Sequence, residues 1–281
     1  MTASDSPEIA GGGPGARLVE AIGRARREGR IGIMTHVVLG YPSLDESRRI
    51  VETMARAGVD LIEVQIPFSD PTADGPVITE ACQDALDGGA RVADAFDLVA
   101  KAASPSAPPM LFMTYVNIAF AYRSRANGGE SVPGFVRDAA RAGASGLIIP
   151  DLPPERREEG YVAACRGEGI HPVFVISPNI TERRLALIRE NASGLVYSTS
   201  RTGTTGREME LAWDELRGFL ARARAVLEVP IAVGFSITSR EHVERLEGHA
   251  DVAVIGSHLL RAHKRGGLSA LEDELGKLLG R

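Results

Sequence analysis

The sequence predicts a single α/β domain, a (β/α)8 barrel with one extra helix ahead of the first strand. Three observations carry this: eight short apolar runs rich in β-branched residues, segments of helical spacing between them, and no Pro/Gly/Ser linker that splits the chain. Near-continuous hydrophobicity over roughly four to eight residues suits strands covered on both faces, as in parallel sheets. At 281 residues, 44% hydrophobic and 25% charged, the chain can bury a sizeable core. An open doubly wound sheet is the alternative arrangement of the same elements.

In chain order, the polar, Gly-rich start "MTASDSPEIAGGGPGA" lacks the basic head and apolar centre of a secretory signal. Residues 1–15 are expected to form a flexible arm and residues 16–281 the barrel domain. "ARLVEAIGRARREG" has helical spacing and is placed to cover the bottom of the barrel; its end, "GRARREGR", reads as a solvated helix face. The expected strands are "IGIMTHVVLG", "LIEVQIPF", "PMLFMTYV", "GLIIPDL", "HPVFVIS", "GLVYSTS", "PIAVGFS" and "VAVIGSHL". Between the first two, "LDESRRIVETMARAG" puts Ile50, Val51, Met54 and Ala57 on one helix face, with Gly58 as a stop. "TERRLALIREN" opens on Thr181 and Glu182, which suit a helix start.

Composition excludes several classes of function. A net charge of −5 with no dense basic block argues against a nucleic-acid partner, and no run approaches the roughly 18 apolar residues of a membrane span. Cys82 and Cys165 have no paired spacing, so neither a disulfide framework nor a zinc site is expected, and a reducing cytoplasm fits. The six histidines form no ligand pattern, so no metal is expected.

Barrel enzymes place their chemistry at the C-terminal ends of strands and in the loops beyond them. Glu63 lies inside the second strand, where a carboxylate is costly to bury. Alone it could be satisfied by a neighbouring hydroxyl or amide. A second carboxylate, Asp74, follows on a loop stiffened by Pro67, Pro71 and Pro76, which favours a working pair. At the other end of the chain, "SRTGTTG", "GFSIT" and "GSHLL" follow the last three strands. Glycines there permit close backbone approach, and helix-start N–H groups favour a phosphate. The expected ligand carries a phosphate at one edge and meets the carboxylates at the other.

These segments together resemble the α subunit of tryptophan synthase. "PFSDPTADGPVI" is similar to that family's PFSDPxADGPxI segment almost position for position. The resemblance runs from about Arg17 to the last helix, through "LGYPS", "TYVN", "PDLPPE", "PVFVISPN", "SRTGTTG", "GFSI" and "IGS". It implies a barrel that cleaves indole-3-glycerol phosphate by a retro-aldol reaction to indole and glyceraldehyde 3-phosphate. Indole would pass to a pyridoxal-phosphate β subunit in an α2β2 assembly, with no cofactor in this chain. By the same resemblance Glu63 and Asp74 are the catalytic pair, and Tyr115, Asn117, Asp151 and Tyr197 line or brace the pocket. Gly206, Gly234, Ser236, Gly256 and Ser257 would hold the phosphate. Asp70, Arg201 and Thr205 would lie on loops that close over substrate and touch the β subunit. Taken singly, the tyrosines also suit a half-buried core, Asp151 a cap, and Asp70 and Arg201 solvated or paired charges.

Four residues depart from the family's usual pattern. Gln65 stands in place of glycine and His36 in place of an apolar aromatic, so both are expected to line and polarise the indole pocket. Tyr41 replaces a frequent aspartate, and Ser236 replaces a glycine. Three functions stay open: the lyase subunit with a β partner, a stand-alone lyase or a paralogue acting on a substituted indole, and a weakly catalytic barrel that activates a β-type partner.

Overall fold

The computed structural model describes residues 13–123, 131–199, 213–234 and 237–281. The strands are β1 (Gly32–Val38), β2 (Leu61–Gln65), β3 (Met110–Met113), β4 (Gly146–Ile148), β5 (His171–Val173), β6 (Val175–Ile176), β7 (Val196–Thr199), β8 (Ile231–Gly234) and β9 (Val252–Ile255). The helices are α1 (Pro14–Arg27), α2 (Leu44–Ala57), α3 (Pro76–Asp87), α4 (Val92–Ala102), α5 (Val116–Ala121) and α6 (Val132–Arg141). They continue with α7 (Tyr161–Gly167), α8 (Glu182–Asn191), α9 (Trp213–Val226), α10 (Arg240–Glu244) and α11 (Ser257–Leu279).

The sheet order is β5-β4-β3-β2-β1-β9-β8-β7-β6. β5 and β6 are halves of one extended segment broken at Phe174; β5 pairs with β4 and β6 with β7, all in parallel. The two ends of the order therefore belong to one strand, and eight strands close into the expected barrel. At the break the Tyr161 hydroxyl enters the ladder, donating to Leu147 O (2.7 Å) and accepting from Val173 N (3.2 Å).

Local signals account for the elements. Ser43 Oγ accepts from Glu46 N (3.2 Å) to start α2, and Gly58 ends it at φ 80°. Thr181 Oγ1 accepts from Arg184 N to start α8. Strand residues alternate in facing. Met34, Leu61, Leu111 and Val252 pack inside the barrel, whereas Ile33, Val37, Ile62 and Val64 pack against the surrounding helices. α1 closes the bottom as expected, with Leu18, Ala21 and Ile22 against Met34, Leu61 and Leu111.

Two expectations are corrected. "GRARREGR" is more than a solvated face. Arg26 reaches the buried Asp251 (2.7 and 3.0 Å), and Arg30 makes a two-pronged contact with Asp60 (2.6 and 2.8 Å), whose residue is 1% exposed. These pairs tie the helix and its C-terminal turn to the floor of the barrel. The third strand ends earlier than its apolar run, because Val116 already begins α5 after Tyr115.

Asp60 also accepts from Ile33 N (2.9 Å), so Asp60→Ala removes the two-pronged partner of Arg30, leaving it Glu28 (2.8 Å), and strands a buried strand N–H. Unfolding free energy is expected to drop by about 3 kcal/mol. Lys264→Ala, which breaks the exposed pair with Glu80 (2.8 Å), should cost less than about 1 kcal/mol. Urea denaturation of both variants checks this, and equal losses would show that the Asp60 pair is no stronger than a surface pair.

Candidate active site

Pairing of β1 with β2 sets His36 beside Glu63, and pairing of β2 with β3 sets Glu63 beside Leu111. Glu63 is 4% exposed, and its Oε2 has no hydrogen-bond partner among the described residues. Burial, reinforced by the charge of Asp74, pushes its pKa up to about 8. A carboxyl there holds its proton at neutral pH.

Asp74 arrives from the loop between β2 and α3. The loop is braced by bonds from Thr72 N to Asp70 O (2.8 Å) and from Asp74 N to Pro71 O (2.9 Å). Phe68 packs on the Tyr115 ring, with centroids 5.1 Å apart. Ala73 N donates to Tyr115 Oη (3.1 Å), so the tyrosine's own proton is left for Asp74 Oδ2 (2.8 Å). Gln65 Nε2 donates to the same oxygen at 2.7 Å. Burial raises the Asp74 pKa to about 6, and these two donors pull against that rise. Asp74 is thus ionised at neutral pH while Glu63 is not.

His36 and Gln65 complete the polar layer. Gln65 Oε1 lies 2.6 Å from His36 Nε2, and burial holds His36 down at about 4, a neutral ring. One cavity is lined by His36, Glu63 and Asp74, with Met113, Ile148, Val175 and Val254 as apolar wall. Gly234, Gly256 and Ser257 line it from β8, β9 and the start of α11, and Tyr197 reaches in from β7 close enough to feel both carboxyls. Ser257 is the first residue of α11, so the helix's opening N–H groups stand beside this part of the cavity.

Among the described residues, seven expected site residues line this cavity (His36, Glu63, Asp74, Tyr197, Gly234, Gly256 and Ser257), and three expected to line it do not. Gln65 does not line the cavity. It is fully buried behind the wall, with both ends of its amide engaged, so it offers no polar group to an indole ring. Asn117 sits exposed on α5, because the helix starts inside the apolar "TYV" run. Asp151 is exposed too, and its Oδ1 accepts from Val116 N (2.9 Å); it braces the start of α5, and Pro150 forms the wall instead. Tyr115 acts from behind, through Asp74. Tyr41 is buried in a cluster with Val38 and Ile78; Ile78 lines the cavity and Tyr41 does not. Asp70 is exposed, bonded to Ser69 Oγ (2.6 Å). Arg201, Thr205, Gly206 and Ser236 lie outside the described residues.

Gly234 has a packing reason of its own. A Cβ there would run into Tyr197 Oη and lie 2.5 Å from Cζ, so the glycine makes room for the tyrosine. A Cβ on Gly256 would lie 3.3 Å from His36 Nδ1. The wall residues Met113, Ile148, Val175 and Val254 were not singled out from sequence. Counting in twos along each strand, in register with Glu63, would have found them.

A parallel barrel that sets a proton-holding carboxyl beside an anchored carboxylate, with a helix start in the same cavity, is an acid–base enzyme of the (β/α)8 class. The sequence model of the tryptophan synthase alpha chain family matches residues 22–276. Tryptophan synthase alpha chains of Syntrophotalea carbinolica and Desulforapulum autotrophicum are 44% and 41% identical to it, spanning 85% and 90% of this chain and 91% and 97% of theirs. A solved structure of Mycobacterium tuberculosis tryptophan synthase superposes with a TM-score of 0.84 at 32% identity, covering 94% of this chain and 97% of that one. The chain belongs to the tryptophan synthase alpha chain family. It is a carbon–carbon lyase of tryptophan biosynthesis, whose reaction is cleavage of indole-3-glycerol phosphate; pyridoxal phosphate belongs to the β subunit and the alpha chain uses no cofactor of its own.

The buried carboxyl leaves a signature in stability. Folded Glu63 keeps a proton to about pH 8 that the unfolded chain releases near 4.5, so its contribution falls as pH rises across that window. Asp74 acts in the same sense up to about 6, whereas His36, lowered from 6.5 to about 4, opposes them over its own interval. Between about pH 6.5 and 8 Glu63 acts alone among the three. Unfolding free energy should decline there by up to roughly 2 kcal/mol, and Glu63→Gln should flatten the decline. Chemical denaturation at intervals across the window measures it. A slope that persists in the variant would belong to other groups.

Proposed function

We propose that Glu63 and Asp74 divide the acid–base work of indole-3-glycerol phosphate cleavage between them. The observation that supports this is their unlike surroundings in one cavity, one carboxyl buried with no donor at Oε2 and the other held under two donors. Glu63 delivers its proton to indole C3 while Asp74 accepts the indole N–H and stabilises the positive charge that spreads to the nitrogen. The bond from C3 to the glycerol carbon then breaks, and the hydroxyl on that carbon gives up its proton as the aldehyde forms. That proton returns to Glu63, so the cycle closes with no net proton gained or lost.

The phosphate is held where Gly234, Gly256 and Ser257 meet the start of α11, a position that suits a dianion. Gly206 and Ser236 are assigned to the same role by sequence match, as are Arg201 and Thr205 to loop closure. Asp70, exposed on the loop that carries Asp74, faces a β subunit in an α2β2 assembly. Residues 16–281, together with Pro14 and Gly15 at the start of α1, act as the lyase domain; residues 1–12 of the expected arm lie outside the described residues. A cytoplasmic location accords with a biosynthetic lyase; among the described residues, no helix is long and apolar enough to cross a membrane.

Glu63→Gln should lower kcat by roughly 10²–10⁴-fold with folding intact, because the amide has no proton to deliver. In the native chain kcat/KM should fall below about pH 6, as Asp74 takes up a proton, and above about pH 8, as Glu63 loses its own. Turnover by the isolated chain, and after mixing with a tryptophan synthase β chain, tests the assembly. A β chain that neither binds nor changes the rate would exclude the α2β2 role.

A further inference from the structure

The orientation of the Gln65 amide is dictated by its neighbours. Tyr115 already spends its hydroxyl proton on Asp74 Oδ2, and the partner at 2.7 Å from that oxygen must also be a donor, so the Gln65 nitrogen faces Asp74. Its carbonyl oxygen therefore faces His36 Nε2 at 2.6 Å, and that ring nitrogen must carry the hydrogen. The other nitrogen, Nδ1, is left as a bare acceptor. The residue is 4% exposed, and among the described residues Nδ1 has no partner. A buried acceptor without a donor is a defect that a ligand can repair.

Its place in the wall says which part of a ligand. His36 stands in register with Glu63 on one side, and its Nδ1 faces Gly256 on the other. A substrate with its reacting carbon at Glu63 and its phosphate at Gly256 and Ser257 must lay the linker between them along this strip. In indole-3-glycerol phosphate that linker is a three-carbon chain with two hydroxyl groups. We propose that His36 Nδ1 accepts a hydrogen bond from a hydroxyl of the glycerol chain, and that Gln65 is the positioning residue that fixes the ring for it. This rests on the lyase reading of the site. Burial keeps the ring neutral, so the acceptor persists at physiological pH. The same amide that steadies Asp74 then also sets the polarity of the linker's wall, and the indole side of the pocket keeps its apolar lining.

Binding can be measured without turnover in a Glu63→Gln background. Indole-3-glycerol phosphate and 3-(indol-3-yl)propyl phosphate, which lacks both hydroxyls, are titrated by calorimetry with and without His36→Phe. The expected result is a roughly 3- to 10-fold loss of affinity for the hydroxylated ligand and little change for the propyl compound. An equal effect on both ligands, or none on either, overturns the proposal. So does a preference for a ring-hydroxylated propyl analogue that His36→Phe abolishes, because the acceptor would then face the indole ring. If neither ligand binds the parent, the lyase reading fails and this inference falls with it. Should His36→Phe fold poorly, 15N spectra of the histidine-labelled chain give the answer with the side chain intact. Nδ1 should read as unprotonated and shift with the hydroxylated ligand alone; a proton on Nδ1 overturns the assignment.

Discussion

The hydrogen bonds that Tyr115 and Gln65 place on Asp74 Oδ2 hold the β2–α3 loop onto the barrel and keep its carboxylate charged in a setting where burial alone would neutralise it. Glu63, two residues before Gln65 on the same strand face, receives no such donor at Oε2 and stays protonated. Two carboxyls within one cavity thus hold different charges because one has been given hydrogen-bond donors and the other is buried beside a carboxylate with none at its Oε2. Tyr115 takes a backbone N–H from the loop and returns its own proton to the loop's carboxylate, so the side chain that tunes the charge also locates it.

The barrel separates stability from chemistry along its axis. At the floor, buried Asp60 and Asp251 collect arginines and strand N–H groups, so both buried carboxylates are matched. At the upper layer the polar groups are left partly unmatched, at Glu63 Oε2 and His36 Nδ1, where a ligand can complete them. Strand alternation makes this possible. The interior residues of β1 and β2 pass from Met34 and Leu61 to His36, Glu63 and Gln65 within two steps of the pleat.

Much of this was legible in the sequence, and what escaped did so for physical reasons. Eight apolar runs gave the eight strands, and Ser43, Gly58 and Thr181 marked helix ends, because those signals act within a few residues. Glu63 and Asp74 stood out because a carboxylate within an apolar strand and another on a proline-stiffened loop are each costly to place. Gln65 was given the correct face and the wrong depth. The partners that draw it behind the wall sit 29 and 9 residues away in sequence, beyond the reach of periodicity. Asn117 was misplaced because an apolar run does not show where strand turns into helix; Asp151 does follow β4, and its carboxylate caps the start of α5. Arg26 and Arg30 look like any solvated arginines until Asp251 and Asp60 are folded beneath them.

Gly234 and Tyr197 fill one volume between them, since a methyl group on the first would occupy the ring of the second. Any side chain at position 234 therefore needs the Tyr197 ring to move, and a smaller residue at 197 opens space at 234 on the cavity's edge. The shape of this edge is set by the two residues jointly, so a change at one alters what the other position accepts.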